Sequence, residues 1–217
     1  MQYIMQTEKS LRNIADRKLK ASYLVILFVI ISFLGWCGET IYFVLHWHDL
    51  TDRGFLTLPL CTIYGFCIIA IYLIIGTPRG GRLNPLFDRA KNLAPLPRAF
   101  SYVGLYALYF VFAALIPTIA EFFTALFFDK VFGVMLWDYS YHTFDLFGYV
   151  CLEMTVLWGV LIMFAMAVVW PLLESLVLRI PPKAAKRVAA ACVLFIFADL
   201  IFNFLYLLVK KRRLVLF

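Results

Sequence analysis

Five long apolar runs, separated by short polar segments, dominate the hydrophobic pattern of this chain. A helix that crosses the hydrocarbon core of a bilayer needs about 20 mostly apolar residues, and each run is long enough. The pattern therefore predicts an all-α fold, a polytopic membrane helical bundle with about five transmembrane helices. The predicted spans cover about residues 21–46, 57–76, 99–128, 143–171 and 188–209.

The segments outside these runs are too short to form a further domain. We expect residues 1–20 to be a cytoplasmic N-terminal segment, residues 21–209 a single transmembrane domain, and residues 210–217 a basic tail. The first apolar run exceeds the roughly 7–15 residues of the hydrophobic region of a signal peptide, and no small-residue cleavage site follows it. It is therefore interpreted as a transmembrane helix.

Composition supports a membrane protein. Of the 217 residues, 64% are hydrophobic and 15% are charged, and the mean hydropathy is +0.89. Soluble domains have about 45–50% apolar and about 25% charged residues, so lipid must cover the excess apolar surface. The net charge of +7 does not indicate a nucleic-acid partner, because the basic residues form short clusters between apolar runs.

The positions of Lys and Arg predict the orientation. Residues 1–20 hold five of them, the loop 77–98 five and the loop 174–187 four, whereas the alternate loops hold only Arg53 and Lys130. Basic residues favour the cytoplasmic side, so the N-terminus and the two basic loops are predicted to be cytoplasmic. Five crossings then place the basic tail outside, against the same rule.

Acidic residues lie at membrane depth in four of the spans. Such groups are costly in lipid and usually face a bundle interior or a wet cavity. Because no span contains Lys or Arg, we expect Arg53 to fold inward and pair with Glu39 or Glu121. The alternative is that each acid only bonds a neighbouring helix. The four acids are Glu39, Glu121 and Glu153 in the outer half, and Asp199, with Asn203 on the same helix face, near the midplane.

Helix-breaking residues and a weak repeat accompany these acids. Gly35, Pro59 and Pro117 predict helix breaks that line a cavity, with close packing at the glycine as the alternative. The first two spans and the next two also share a layout. Glu39 precedes Tyr64-Gly65 in the first pair of spans, and Glu121 precedes Trp158-Gly159 in the second pair. This layout predicts a parallel two-helix repeat, with chance similarity between apolar segments as the alternative.

We interpret these features as an outward-facing, acidic polar chamber that binds a small-molecule solute. An acid-rich chamber favours a cationic or amine-bearing ligand, or proton coupling. The histidines and aspartates of the outer loops are interpreted as ordinary polar loop residues beside an interfacial aromatic belt, and not as metal ligands. No metal and no cofactor is expected. The predicted ligand-binding residues are Glu39, Arg53, Glu121, Glu153, Trp36, Tyr64, Trp137 and Asp138.

Several motif combinations resemble a bacterial family, the putative ABC-transporter permeases of the CmpB type. The resemblance covers about residues 30–160 and implies a polytopic protein of the bacterial cytoplasmic membrane, served by a separate ATPase. A Pro expected at Thr62 and a Gly expected at Ala125 are absent. The shared pieces are Gly35-Trp36-x-x-Glu39, Arg53-Gly54-Phe55-Leu56 with Pro59, Ile63-Tyr64-Gly65, Glu121-x-x-Thr124, Trp137-Asp138-Tyr139-Ser140, Gly148-Tyr149-x-Cys151-Leu152 and Trp158-Gly159.

The sequence thus favours a transport protein or a transporter-associated subunit. It has no Gly-rich phosphate loop, so it has no ATPase of its own, and it has none of the common hydrolase motifs. No catalytic residue is assigned. Two alternatives remain: a non-catalytic membrane scaffold or accessory subunit, and an integral membrane enzyme acting on a lipid-linked substrate. The expected partners are the lipid bilayer, a solute, an ATPase subunit and further copies of the chain in a homo-oligomer.

Overall fold

The computed structural model describes residues 19–48, 50, 52–78 and 80–216. Most of the segment 1–20 lies outside the described residues, so its cytoplasmic position stays a prediction. The α-helices are α1 Ala21–Trp47, α2 Thr62–Ile74, α3 Asn84–Lys91, α4 Pro95–Phe127, α5 Leu152–Phe164, α6 Trp170–Val177 and α7 Pro182–Lys210. The π-helical turn Phe128–Phe132 extends α4, and a second one, Ala165–Val169, joins α5 to α6. Two short antiparallel hairpins pair β1 Gly76–Thr77 with β2 Gly80–Gly81, and β3 Asp145–Leu146 with β4 Val150–Cys151.

The all-α membrane bundle is confirmed. Four continuous helical segments are long and apolar enough to cross a membrane, and α2 is a shorter apolar helix. Large hydrophobic side chains cover their outer surfaces, as expected where lipid is the solvent. The four long segments are Ala21–His46, Pro95–Phe132, Leu152–Val177 and Pro182–Lys210.

The second predicted span differs most from the structure, because α2 covers only about two-thirds of the expected length. Its 13 residues span about 20 Å, less than the roughly 30 Å of a hydrocarbon core. The Cys61 N–H, just before α2, donates to the carbonyl of Ser32, close to the middle of α1. The described part of residues 52–61, here called the re-entrant segment, therefore returns to the middle of the bundle without helical structure.

The predicted fourth span also began too early. Residues 145–151 form a hairpin instead of a helix, and α5 begins at Leu152. Gly148, in the turn, has a φ of +72°, which a glycine adopts without strain. The predicted helix break at Pro117 is wrong, because α4 continues through that residue.

The apolar core lies toward the end of the bundle at which α1 begins, here called the N-terminal end. Tyr72 of α2 accepts a hydrogen bond from the Leu19 N–H at this end, so α2 runs antiparallel to α1. The core side chains come from α1, α2, α4, the α5–α6 segment and α7. Its most buried members include Leu27, Ile71, Tyr109, Met166 and Trp170. The polar residues described below lie toward the opposite end, here called the distal end.

Two helix pairs form the bundle, and each uses a glycine for close contact. Gly65 of α2 packs against Phe28 and Ser32 of α1, and Gly159 of α5 packs against Phe110 of α4. Both glycines belong to the aromatic-Gly pairs of the predicted repeat, and both lie where two helices approach closely. The packing interpretation of Gly35 is also confirmed, because Tyr64 covers it while α1 continues unbroken.

The last helix, α7, packs on α1 through a narrow stripe of side chains. The rest of its surface is apolar and exposed, as on a lipid-facing helix. Its distal half carries Asp199 and Asn203, so the two polar residues predicted to share a helix face lie toward the site described below. The buried members of the stripe form two pairs, each with a spacing of four residues, and are Ala185 and Ala189, and Asn203 and Leu207.

We predict that Gly65→Ala lowers the melting temperature of the detergent-purified protein. A methyl group there would lie 2.4 Å from the Ser32 hydroxyl and 2.8 Å from the Phe28 carbonyl oxygen. Overpacking of this kind costs about 1–3 kcal/mol. The control is Gly38→Ala on α1, where nothing lies within 4 Å of the new methyl group. Equal melting temperatures for the two variants would contradict the α1–α2 contact.

Candidate functional site

The ion pair between Glu39 and Arg53 is the first element of the candidate site. Glu39 projects from α1, and the Arg53 Nε lies 3.1 Å from its Oε2. The guanidinium also lies 3.8 Å from the ring centre of Phe43, one helical turn further along α1. The predicted inward folding of Arg53 is therefore confirmed, with Glu39 as its partner. About a quarter of each charged side chain remains exposed.

Glu121 of α4 is the second element, and no Lys or Arg among the described residues forms an ion pair with it. Its side chain is only 6% exposed, and its Oε2 has no hydrogen-bond partner among the described residues. The Trp158 indole of α5 lies next to the carboxyl group, and Glu39 is close enough to interact with it electrostatically. A buried acid without a paired charge is costly, so this arrangement indicates a functional group or a missing partner.

Aromatic side chains occupy the space between the two acids. Tyr64, near the start of α2, lies next to Glu39, and its ring packs on Trp158 with centroids 4.9 Å apart. Tyr139, from the loop before β3, approaches both acids. Burial, and then the charge of Glu121, raise the pKa of Tyr139. The structure thus groups Glu39, Glu121 and two phenol groups in one cluster.

A polar network surrounds Arg53 at the distal end. Asp52 is 5% exposed and accepts a hydrogen bond from the Trp36 indole at 3.5 Å. The C-terminal tail reaches the same place, where Arg213 donates to the backbone carbonyls of Asp52 and Gly54. Burial lowers the pKa of Arg213, but arginine starts above 12 and stays charged at neutral pH. The tail therefore lies at the end opposite the start of α1.

Asp199 of α7 holds the re-entrant segment from the other side. Its Oδ2 accepts the Leu58 N–H at 2.9 Å, and its Oδ1 accepts the hydroxyl of Thr57. The Asn203 amide donates to the same carboxylate at 3.0 Å. All three donors are neutral, so hydrogen bonds, and not an ion pair, satisfy this acid.

Three predicted site residues lie apart from the cluster. Glu153 is exposed, with its Oε2 at 2.7 Å from the His142 Nδ1. Asp138 is exposed and accepts the Ser140 N–H within a turn, a bond that lowers the pKa of Asp138. Trp137 donates to the Tyr149 carbonyl. Glu153 was grouped with the other acids by its depth along the chain, which does not specify the direction of a side chain.

Sequence reasoning assigned no site role to Trp158, Tyr139 or Asp199. Trp158 belongs to an aromatic-Gly pair, and Tyr139 lies in a loop segment shared with the resembled family, so both had some signal. Asp199 stood out as an intramembrane acid, but its partner in the re-entrant segment is 142 residues earlier in the chain. In the part of the chain that the structure describes, no three His, Cys, Asp or Glu residues are grouped to hold a metal.

Comparison with known proteins gives one match. A family model described as "Putative ABC-transporter type IV" matches residues 26–204. This range includes both helix pairs, the re-entrant segment and Asp199, whereas the tail lies beyond it. No curated protein and no solved structure matches the chain.

We predict that Arg53→Gln lowers stability more than the double variant Glu39→Gln/Arg53→Gln. The single change leaves a partly buried carboxylate without its cation, at a cost of about 1–2 kcal/mol. The double change removes both charges together. Melting temperatures of the wild type, both single variants and the double variant form a complete mutant cycle. Additive effects of the two changes would mean that the pair contributes no coupling.

Proposed function

We propose that this chain, which belongs to the "Putative ABC-transporter type IV" family, binds a cationic or amine-bearing solute at the distal end. The chain would act as a transport protein or as a transporter-associated subunit of a multi-pass membrane complex. The acids of the site would be Glu121 and Glu39, with Arg53 as the counter-ion of Glu39 and with Tyr64, Trp158 and Tyr139 around them.

The unequal pairing of the two acids carries this proposal. Arg53 compensates Glu39, whereas Glu121 lacks a cation among the described residues. When both acids are ionised, the three groups together have a net charge of −1. The surrounding rings favour a ligand that has both a positive charge and apolar groups, because aromatic faces attract cations. An ammonium group placed at Glu121 would supply the missing partner and donate to Oε2.

The arrangement of the bundle supports access from the distal end. The apolar core fills much of the N-terminal half, which disfavours entry of a polar solute from that side. Non-helical backbone at membrane depth, as in the re-entrant segment, is tolerated where it is buried in protein or lines a cavity. Helices that are too short to cross the membrane, such as α2, occur in transporters at their binding sites.

A separate ATPase would supply energy, since the chain has no phosphate-binding loop. We place the N-terminal end of the bundle in the cytoplasm, because most of the basic loop residues lie there. The exposed Arg82, Arg89, Arg179 and Lys183 belong to that end and would face such a subunit. The distal end, with the tail, would then face outward.

The proposal is tested with tert-butylammonium, a compact cation, and with tert-butanol, its neutral analogue of similar shape. We expect the cation to raise the melting temperature of the purified wild-type protein, while tert-butanol at equal concentration does not. Glu121→Gln should abolish the shift, because a neutral amide cannot compensate the ammonium charge.

The matched control is Glu153→Gln, since Glu153 is an exposed acid outside the cluster. This variant should retain the shift seen in the wild type. A wild-type protein that responds equally to the cation and to tert-butanol would contradict a cation site. If Glu121→Gln and Glu153→Gln both lower stability without affecting any shift, the acids are structural and the scaffold interpretation gains support.

The ATPase subunit is tested by gentle purification of the tagged chain from its native membrane. We expect an ATP-binding protein to co-purify at a fixed ratio. Replacing Arg179 and Lys183 together with Gln should reduce its recovery, because both side chains are exposed at the proposed cytoplasmic end. Replacing Lys210 and Lys211 at the other end is the control. Equal recovery with both double variants would exclude this surface.

A further inference from the structure

The re-entrant segment has few backbone partners of its own. Its internal contacts include the hydrogen bond from the Leu60 N–H to the Leu58 carbonyl and the close packing of Gly54 on Leu60. Gly54 has a φ of +92°, which only glycine adopts readily. Because the segment forms neither helix nor strand, other elements must fix its position.

Asp199 fixes the half of the segment that leads into α2. Its two carboxylate oxygens receive the Thr57 hydroxyl and the Leu58 N–H, while Asn203 orients the carboxylate from the same helix. One turn further along α7, Phe204 packs against Phe55 with ring centroids 4.9 Å apart. Polar and apolar contacts from α7 therefore meet the segment side by side.

The tail that follows α7 fixes the other half. Arg213 donates to the Gly54 carbonyl at 2.9 Å and to the Asp52 carbonyl at 3.0 Å. These carbonyls belong to the two neighbours of Arg53. The Leu216 N–H also approaches the Asp52 carboxylate, at 3.4 Å. The guanidinium thus spans the backbone on both sides of the residue that pairs with Glu39.

We propose that α7 and the tail form a two-point clamp, through Asp199 and Arg213, that positions Arg53 against Glu39. Asp199 and Arg213 are positioning residues, because both act through Arg53 and neither contributes to the pair itself. A displacement of α7 withdraws Arg53 and leaves Glu39 as a second uncompensated acid. This inference rests on the proposed function for its effect on ligand, but the clamp itself is testable without any ligand.

The clamp is tested by hydrogen–deuterium exchange of residues 52–61 in protein reconstituted into phospholipid nanodiscs. Arg213→Gln removes two charge-assisted hydrogen bonds and should speed exchange in this segment about tenfold or more. Asp199→Asn should do the same around Leu58, whose N–H it holds. The control is Arg212→Gln, an exposed neighbour, which should leave exchange unchanged.

Unchanged exchange in Arg213→Gln would overturn the clamp, even if Asp199→Asn fails to fold. Faster exchange throughout the protein, instead of within residues 52–61, would also overturn it, because that result means general destabilisation. Both outcomes are independent of any bound solute, so they are distinct from failure of the proposed function.

Binding of tert-butylammonium then tests whether the clamp acts through Arg53. Arg213→Gln and Arg53→Gln should each lower the dissociation constant by about tenfold, since each leaves Glu39 available to the cation. The double variant should match Arg53→Gln alone, because the positioning residue has nothing left to position. Independent, additive effects of the two changes would contradict the positioning role, and wild-type protein that binds no cation would contradict the proposed function alone.

Discussion

The position of non-helical backbone at membrane depth is the constraint on which the rest of this structure depends. An unpaired backbone group in lipid costs several kcal/mol, so each such group needs a partner inside the protein. In the re-entrant segment these partners come from separate elements: the Ser32 carbonyl, the Asp199 carboxylate and the Arg213 guanidinium. The segment can therefore take its place only when α1, α7 and the tail have assembled around it.

This assembly makes two acids of similar depth chemically different. Arg53 is carried by the re-entrant segment and reaches Glu39, so that charge is compensated. Glu121 lies nearby on α4, but the same arginine does not serve both acids, and its Oε2 remains without a partner among the described residues. The two acids therefore differ in charge compensation although they lie close together.

The two helix pairs supply the rigid frame around the site. In each pair a glycine permits close approach, and the aromatic residue just before it points into the cluster: Tyr64 beside Glu39, and Trp158 beside Glu121. The family match covers both pairs and Asp199, but it ends before Arg213. The two helix pairs and Asp199 are thus within the matched region, whereas Arg213 lies outside it.

The sequence predicted the number of apolar segments, the membrane class and the pairing of Arg53 with either Glu39 or Glu121. These follow from composition and from the cost of burying charge, which depend on residue types and not on their contacts. The tertiary structure determines that α2 has only 13 residues, that Arg53 pairs with Glu39 and not with Glu121, and that Glu153 pairs with His142 outside the cluster. It also decided that Asp199 holds Thr57, a residue 142 positions earlier. Such choices depend on the direction of each side chain and on contacts between distant segments, and neither hydrophobic periodicity nor charge counting contains that information.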